Sequence, residues 1–253
     1  MTYEPEREPL KPLKWYKELG DKKKRIEAGF FLAEGERAVA QIALNNPEAI
    51  RELLLTDEAP SFGDTYPYRR ITAGQLRLIT SATTPQGIVA VVKIPADIYS
   101  NKIPANPGAK ILLLEDIQDP GNLGTLIRTA VAFGFTGIVM SEKCADPLAP
   151  KAVQSTAGTL LSLWIRRTNN YLNVINALKT EGYSVIATAL DGEDDTSPLQ
   201  KTEKLILALG NEASGLSEEV LKAADFRIKI PIEDKAESLN VAACGAICMY
   251  LCR

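Results

Sequence analysis

From Lys110 onward the chain alternates apolar, strand-like runs with amphipathic, helix-like stretches, and this alternation limits the folds open to it. The stretch "KILLLEDI" is a continuous apolar run that ends in acids, which is typical of a strand buried in a parallel sheet. A helical pattern, "LGTLIRTAVAF", follows it. Further strands are indicated by "GIVMSE", "SVIATAL", "KLILALG" and "FRIKIPI", and further helices by "PKAVQSTAGTLL", "YLNVINALKTEG", "SEEVLKAAD" and "SLNVAACGAICMYLC". This order predicts an α/β domain with a parallel sheet and helices on both faces.

The chain divides into two predicted domains. Residues 1–95 contain a shorter alternation, with "FFLAEGERAVAQIAL" as a strand and helix and "GIVAVVKIP" as a closing strand, so we expect a small α/β domain there. Residues 96–109 carry two prolines, two asparagines and no apolar period, which is typical of a linker. The second domain then spans residues 110–253, and a chain of 253 residues is long enough for two modest domains.

The absence of histidine excludes several kinds of active site. The chain cannot use a histidine general base, a Ser-His-Asp triad or a histidine-ligated metal. Three of the four cysteines, Cys244, Cys248 and Cys252, recur every four residues, so a helix would align them on one side. We interpret them as small core or interface residues. Their spacing misses the C-x3-C-x2-C pattern of a radical iron–sulfur site, and no CxxC pair indicates zinc, so we expect no metal.

Hydropathy and charge limit where the protein can be located and what it can bind. No apolar run reaches the roughly 18–20 residues of a membrane helix, and the N-terminus has no signal-peptide pattern, so we expect a soluble, cytoplasmic protein. The net charge of −3 argues against a uniformly basic nucleic-acid binder. Residues 11–25 nevertheless carry seven Lys or Arg against two acids. Either a solvated helix face or a contact to nucleic-acid phosphates fits this segment.

The stretch "DPGNLGTLIRTAVAFG" predicts an amphipathic helix with an arginine turned away from its apolar side. Its predicted buried face consists of Leu123, Leu126, Ile127, Ala130 and Val131. Arg128 points roughly 130° from the centre of that face, at about 100° per residue. Asn122 is interpreted as the N-cap and Gly134 as the C-terminal stop. A capped helix with a solvated arginine explains these residues as well as a functional site does.

Two further polar loops follow strand-like runs. In "LILALGNEASGLSEEVLKAA" a buried strand ends at Gly210, and Asn211, Glu212 and Gly215 lie before a helix that begins near Ser217. Ligands of parallel sheets bind outside the carboxyl ends of the strands, where Gly210 would let backbone approach a ligand. The loop matches neither G-x-G-x-x-G nor a P-loop. A plain turn remains an alternative.

The third stretch is "IKIPIEDKAESLNVAACGAI", in which an extended segment ends at Pro231 and a polar loop leads into the last helix. Ser238 and Asn240 lie at the start of that helix. Hydroxyl and amide groups at a helix N-terminus suit hydrogen bonding to a polar ligand, and they equally suit capping of the helix.

Taken together, the three motifs resemble one family. The set N-x-G-x3-R, then G-N-E-x2-G-L, then I-P-[IM]-x5-S-L-N-V is similar to the SpoU, or TrmH-like, family of RNA ribose 2′-O-methyltransferases, over residues 110–253. Residues 1–95, with "GFFLAEGERAV" and "TPQGIVAVV", resemble the substrate-binding domain often joined to it, which is similar to a ribosomal-protein RNA-binding fold.

The resemblance implies properties that composition does not. The C-terminal parallel-sheet domain should end in a trefoil knot, the cofactor should be S-adenosylmethionine held by the loops of that knot, and the protein should be a homodimer. The substrate should be RNA, and the separate N-terminal domain favours ribosomal over transfer RNA. The competing interpretations are a non-catalytic RNA-binding protein that keeps the knotted fold, and a methyltransferase that acts on a base or on a non-RNA substrate.

The resemblance also implies site residues. Arg128 matches the catalytic arginine, and Asn122, Glu212, Ser238 and Asn240 match the other polar motif positions. The matching cofactor positions are Gly210, Ile230 and Leu239, with Leu209 and Ile232 beside them. The strand end at Thr188 and Ala189, and Asn211 after Gly210, are also expected to line the cofactor pocket. The role of Arg128, as base or as electrostatic stabiliser, stays open. Two positions depart from the family pattern, since Ala213 and Asp234 stand where glycine is usual.

Overall fold

The computed structural model describes residues 11–59, 65–80, 86–233, 235 and 238–253. Position 234, one of the two departures from the family pattern, lies outside these ranges. None of the helices in the described ranges combines the length and apolar character needed to cross a bilayer.

Within the described residues, the N-terminal part is a four-stranded mixed sheet with four α-helices. The sheet has the order β1-β4-β2-β3, with β4 antiparallel to both of its neighbours and β2 parallel to β3. This agrees with the α/β domain predicted there. The strands β1–β4 are Phe30–Glu34, Ile50–Leu55, Tyr68–Arg70 and Ile88–Lys93, and the helices α1–α4 are Leu13–Glu18, Lys22–Ala28, Glu36–Asn45 and Ala73–Ile79.

The C-terminal part is a six-stranded sheet in which every strand pair of the described residues is parallel, as predicted. Its order is β10-β8-β9-β5-β6-β7. The strands β5–β10 are Lys110–Leu114, Gly137–Met140, Trp164–Arg167, Ser184–Glu193, Leu205–Leu209 and Phe226–Ile228. The helices α5–α10 are Pro120–Ala132, Pro150–Thr156, Tyr171–Thr180, Pro198–Lys201, Glu218–Ala223 and Val241–Leu251.

Helices cover both faces of this sheet. One core joins α5, α6 and α10 to strand residues such as Leu112 and Leu207, and another joins α7 and α9 to strand residues such as Leu113 and Ala208. The chain runs from β5 outward to β6 and β7, whereas β9, β8 and β10 lie on the other side of β5, so a crevice is expected at the carboxyl ends of β5 and β9, where the strand order changes direction. The motif that carries Asn122 and the loop that carries Asn211 follow these two strand ends.

Strand β7 was not predicted. It is a short edge strand with two arginines, a pattern that does not indicate a buried strand. Arg166 is nonetheless buried, because its Nε donates to the carbonyl of Lys102 at 2.6 Å and its guanidinium lies over the ring of Trp164. These are tertiary contacts that local pattern does not reveal.

Helix α5 begins earlier than predicted. Its N-cap is Asp119, whose carboxylate accepts a hydrogen bond from the backbone N–H of Asn122 at 2.8 Å. The assignment of Asn122 as N-cap was therefore wrong, because Pro120 suits the first helical position and the aspartate before it takes the capping role. Arg128 is exposed as predicted, and Val131 is only half-buried. Gly134 follows the helix with φ of 75°, as a C-terminal stop requires.

Candidate functional site

A cavity of about 630 Å³ opens at the second half of β8 and beyond the carboxyl ends of β9 and β10. The loop 210–216 forms one wall, and the first turn of α10 forms another through Val241 and Cys244. All predicted cofactor positions except Leu209 line it, together with Glu212 and Ser238 from the polar set. The lining predicted positions are Thr188, Ala189, Gly210, Asn211, Glu212, Ile230, Ile232, Ser238 and Leu239.

Leu209 lies behind this wall. Its side chain is fully buried, and its Cδ1 would lie 2.7 Å from a Cβ added to Gly245 of α10. Its carbonyl oxygen accepts a hydrogen bond from the backbone N–H of Glu115 at 3.0 Å. Leu209 therefore packs the helix α10 against the sheet, and its side chain does not line the cavity.

Gly210 allows close packing within its own loop. A Cβ added there would lie 2.3 Å from the carbonyl carbon of Gly215 and 2.4 Å from the nitrogen of Leu216. The structure thus gives a packing reason for this glycine that the sequence did not predict, and close approach of its backbone to a ligand stays a prediction.

The loop closes through Asn211. The backbones of Asn211 and Gly215 exchange two hydrogen bonds of 3.0 Å, and the Asn211 side chain accepts from the N–H groups of Ala213 and Ser214. Among the described non-glycine residues, positive φ occurs at Asp116 and Ala157. Alanine at 213 therefore brings no left-handed strain, and this departure from the family pattern costs the loop little.

The three motifs meet in one chain of hydrogen bonds beside the cavity. The Asn240 amide donates to Asn122 Oδ1 at 3.2 Å, and the Asn122 amide donates to Glu212 Oε1 at 2.9 Å. Asn240 also caps α10, because its Oδ1 accepts from the N–H groups of Ala242 and Ala243. The polar positions at 122, 212 and 240 thus form a single cluster, and Ser238 lies exposed on the cavity wall nearby.

Arg128 stands apart from this cluster. It follows Asn122 by six residues on the same helix, so it lies about 9 Å further along the axis and on another side of it. Within the described ranges it makes no hydrogen bond or ion pair. A single chain of hydrogen bonds therefore joins three of the five predicted catalytic residues, while Ser238 lies on the cavity wall and Arg128 is exposed and unpaired within the described residues.

Asn240 both caps α10 and donates to Asn122, and two substitutions can separate these roles. Asn240→Ala should lower the stability by about 1 kcal/mol, the usual effect of losing an N-cap. Asn240→Asp should keep the cap, because a carboxylate accepts the same N–H bonds, while it loses the donor to Asn122. Thermal melts of both variants check this, and equal destabilisation by the two would show that the bond to Asn122 dominates.

Comparison with known proteins identifies the family. The SpoU rRNA methylase family matches residues 109–250. RlmP of Bacillus subtilis, a 23S rRNA (guanosine(2553)-2′-O)-methyltransferase, is 34% identical over 241 residues, which cover 94% of each chain. The chain belongs to the SpoU rRNA methylase family. In this SpoU protein the N-terminal residues 11–90 match the MRM3-like substrate-binding domain.

Two further matches extend over nearly the whole SpoU protein. A 23S rRNA (uridine(2479)-2′-O)-methyltransferase of Streptomyces viridochromogenes is 30% identical over 250 residues, which cover 93% of this chain and 86% of that one. The crystal structure of the SpoU methyltransferase AviRb from the same organism, in complex with AdoMet, matches with a TM-score of 0.81 and 27% identity. It covers 95% of this chain and 96% of that one.

Several residues that anchor the cavity loop of this SpoU protein were missed. Buried Glu115 accepts hydrogen bonds from the Tyr171 hydroxyl and from both the N–H and the hydroxyl of Ser217. Asp116, at φ of 57°, accepts from the Asn211 amide at 2.8 Å through its carbonyl oxygen, and Ser141 donates to its carboxylate at 2.6 Å. The acids that end "KILLLEDI" were the only signal in the sequence.

The cysteine stripe of the SpoU protein lies along α10 as the spacing predicted. Cys248 and Cys252 are buried in the core, whereas Cys244 is half-buried and lines the cavity. A hydrogen bond with Cys244, together with burial, raises the pKa of the Cys248 thiol, and burial raises the pKa of Cys252 to about 11. The two buried thiols are therefore protonated packing groups.

Proposed function

We propose that this protein transfers a methyl group from S-adenosylmethionine to a ribose 2′-hydroxyl of ribosomal RNA. The observation that carries the proposal is the joining of Asn122, Glu212 and Asn240 by hydrogen bonds beside a ligand-sized cavity that Glu212 lines. The family and the substrates named for its relatives support the same reaction. One of those relatives acts on a guanosine and the other on a uridine, so the proposal names no nucleotide.

The cavity suits the proposed cofactor. Apolar side chains such as Ile230 and Leu239 would pack against an adenine ring, while the strand-end backbone at Thr188 and Gly210 offers hydrogen-bonding groups. A volume of about 630 Å³ lies in the usual range of ligand sites. When bound, the cofactor would supply an electrophilic methyl group on a sulfonium sulfur. A neighbouring structure that contains AdoMet supports this assignment.

The polar cluster would hold the ribose. One carboxylate oxygen of Glu212 accepts from Asn122, and the other accepts no bond from the described residues, so it is available to a ribose hydroxyl. Ser238, exposed on the cavity wall, offers a second hydroxyl contact. Two such contacts would orient the 2′-oxygen, and orientation is a large part of the rate of a two-reactant step.

Arg128 would stabilise the charge that develops on the ribose oxygen as its proton leaves. It is exposed and unpaired within the described ranges, so its guanidinium is available to the RNA. We favour this role over proton abstraction because a guanidinium gives up its proton only above about pH 12. A planar guanidinium also suits two-point contact with a neighbouring phosphate.

A threaded C-terminus is part of the proposal. Strand β10 pairs with β8 at Arg227 and Ala187, and then skips ahead so that Ile228 faces Glu193. A Cβ added to Gly192 would lie 2.5 Å from the carbonyl carbon of Ile228. This close crossing of residues 188–192, in the second half of β8, by the C-terminal segment supports the trefoil knot that the family resemblance implies.

A homodimer is also proposed. Helix α10 buries one side and exposes another apolar side, with Ala243 exposed, Ile247 39% exposed and Tyr250 54% exposed. An exposed apolar face of this kind is typical of a protein interface. A second copy would cover it and would bring its own groups near Arg128, because α10 packs on α5. Light scattering should then give twice the chain mass of 27.5 kDa.

Each part of the chain has its own proposed role. We propose that residues 1–95 grip RNA, residues 96–109 connect, and residues 110–253 bind cofactor and transfer the methyl group. A ribosomal RNA substrate would place the protein in the cytoplasm. The exposed lysines of α1 and α2 support the RNA contact, although Lys14 is near Glu18 at 3.7 Å and Lys24 is paired with Glu27 at 2.9 Å.

Replacing Lys17 and Lys23 with alanine should weaken RNA binding at low salt. Both side chains are exposed and lack an ion pair within the described ranges. The slope of log affinity against log salt should fall in magnitude by about one for each phosphate that is no longer neutralised. Filter binding across a salt series measures this, with Lys222→Ala on α9 as the control, and an unchanged slope would remove these lysines from the RNA site.

The reaction itself is tested with labelled cofactor. In vitro transcribed 23S rRNA, which lacks modifications, should accept label from S-adenosylmethionine, and primer extension at low nucleotide concentration should then stop at one ribose. Labelling of transfer RNA but not of 23S rRNA would show that transfer RNA is the substrate. Cofactor binding by calorimetry without transfer to any RNA would favour the non-catalytic alternative.

A further inference from the structure

The carboxylate of Asp146, in the loop before α6, joins three separate parts of the chain. Arg25 of α2 contacts it at 2.6 Å, and Tyr99 of the predicted linker donates its hydroxyl at 3.2 Å. The backbone N–H of Leu148 donates to the same carboxylate at 3.0 Å. The N-terminal domain, the linker and the C-terminal domain thus meet on one side chain.

This ion pair is buried. The side chains of Arg25 and Asp146 are 3% and 11% exposed. Arg25 also donates to the carbonyls of Leu19 and Gly20 at 2.9 and 2.7 Å, so its guanidinium is held in one orientation from its own side. Buried pairs of this kind contribute little net stability, but their geometry is demanding, and apolar contacts alone do not impose such a geometry.

A second contact fixes the other end of α6. Gly158 follows that helix with φ of 87°, and a Cβ added to it would lie 2.5 Å from the carbonyl oxygen of Ala38 on α3. The N-terminal domain therefore touches the chain just before α6 through Asp146 and just after α6 through Gly158.

Helix α6 in turn lies directly against α5. A Cβ added to Gly124 would lie 2.4 Å from the carbonyl oxygen of Ala152, so the two helices meet backbone to backbone. Lys151 of α6 pairs with Asp119, the N-cap of α5, at 3.0 Å. Helix α5 carries both Asn122 and Arg128. A continuous set of contacts thus runs from the N-terminal domain through α6 to the predicted catalytic helix.

We propose that Arg25 and Asp146 are positioning residues for methyl transfer, which set the orientation of the RNA-gripping domain relative to α5. The inference rests on the proposed function. RNA held by the N-terminal domain then meets Arg128 and the cofactor cavity at one fixed distance. A domain free to tilt would hold the same RNA but would present the ribose in the reactive orientation less often.

The test replaces one charge. Asp146→Asn keeps an oxygen acceptor for Leu148 and Tyr99 but removes the negative charge that faces Arg25. Well below the melting temperature, kcat for methyl transfer to in vitro transcribed 23S rRNA should fall at least fivefold, while the Kd for S-adenosylmethionine stays within twofold. The matched control is Asp225→Asn, since Asp225 also pairs with a cation, Lys179 at 2.9 Å, and accepts a backbone N–H, but lies away from the N-terminal domain.

The control variant Asp225→Asn should be less stable than the wild-type protein but should have the same kcat. If Asp146→Asn does not fold, Tyr99→Phe removes only the 3.2 Å hydroxyl bond and should lower kcat about twofold. Wild-type kcat in whichever of these variants folds overturns the proposal, as does an equal loss in Asp225→Asn. If the wild-type protein transfers no methyl group to RNA, the proposed function fails, and the positioning roles fall with it.

Discussion

Arg128→Ala should lower the rate of methyl transfer about 100- to 1000-fold, the usual effect of removing a preorganised charge-stabilising group. The side chain is exposed and unpaired within the described ranges, so its loss should change the free energy of unfolding by less than about 1 kcal/mol. The affinity for S-adenosylmethionine should stay the same, because Arg128 does not line the cavity. Single-turnover transfer, calorimetry and thermal melts measure these three quantities.

Two further variants sharpen this result. Arg128→Lys should restore only part of the rate, because an ammonium does not reproduce the two-point contact of a guanidinium with phosphate. Thr125→Ala, at another exposed position of α5, should leave the rate unchanged. Near-normal transfer by Arg128→Ala would rule out the proposed role. Unfolding of that variant would make Arg128 a structural residue.

Gly210→Val should lower cofactor affinity at least tenfold, equivalent to about 1.4 kcal/mol. Even the first added carbon would lie 2.3 Å from the backbone of Gly215, so the loop 210–216 must open to accept it. Because this loop forms one wall of the cavity, the wall moves and the hydrogen bonds between Asn211 and Gly215 break. We therefore also expect a lower melting temperature.

Gly74→Ala is the matched control for a substitution at glycine. A Cβ there meets only the Thr72 hydroxyl, at an ordinary 3.8 Å, and alanine favours the helix α4. Its cofactor affinity and its melting temperature should not fall. Wild-type cofactor affinity in Gly210→Val, measured by titration calorimetry, would mean that the cofactor binds outside this cavity.

Local pattern in the sequence predicted the elements that depend on neighbouring residues. Continuous apolar runs indicated the buried strands β5 and β9, and helical periodicity placed Leu123 and Ile127 inside and Arg128 outside. The helix cap was predicted less well, since α5 begins at Pro120 with Asp119 as its N-cap, before the predicted cap at Asn122. The resemblance of three motifs named the site residues, although no single motif distinguished a ligand site from a turn.

The tertiary structure decided which of these residues meet. The bonds of Asn122 to Glu212 and to Asn240 join positions 90 and 118 residues apart, and the Arg25–Asp146 pair spans 121 residues. Such contacts depend on how sheets and helices pack together, and the sequence near each residue does not predict that packing. Gly210 is the clearest case. Its place at a strand end predicted a ligand nearby, and only the folded loop shows that a Cβ at this position would point toward Gly215.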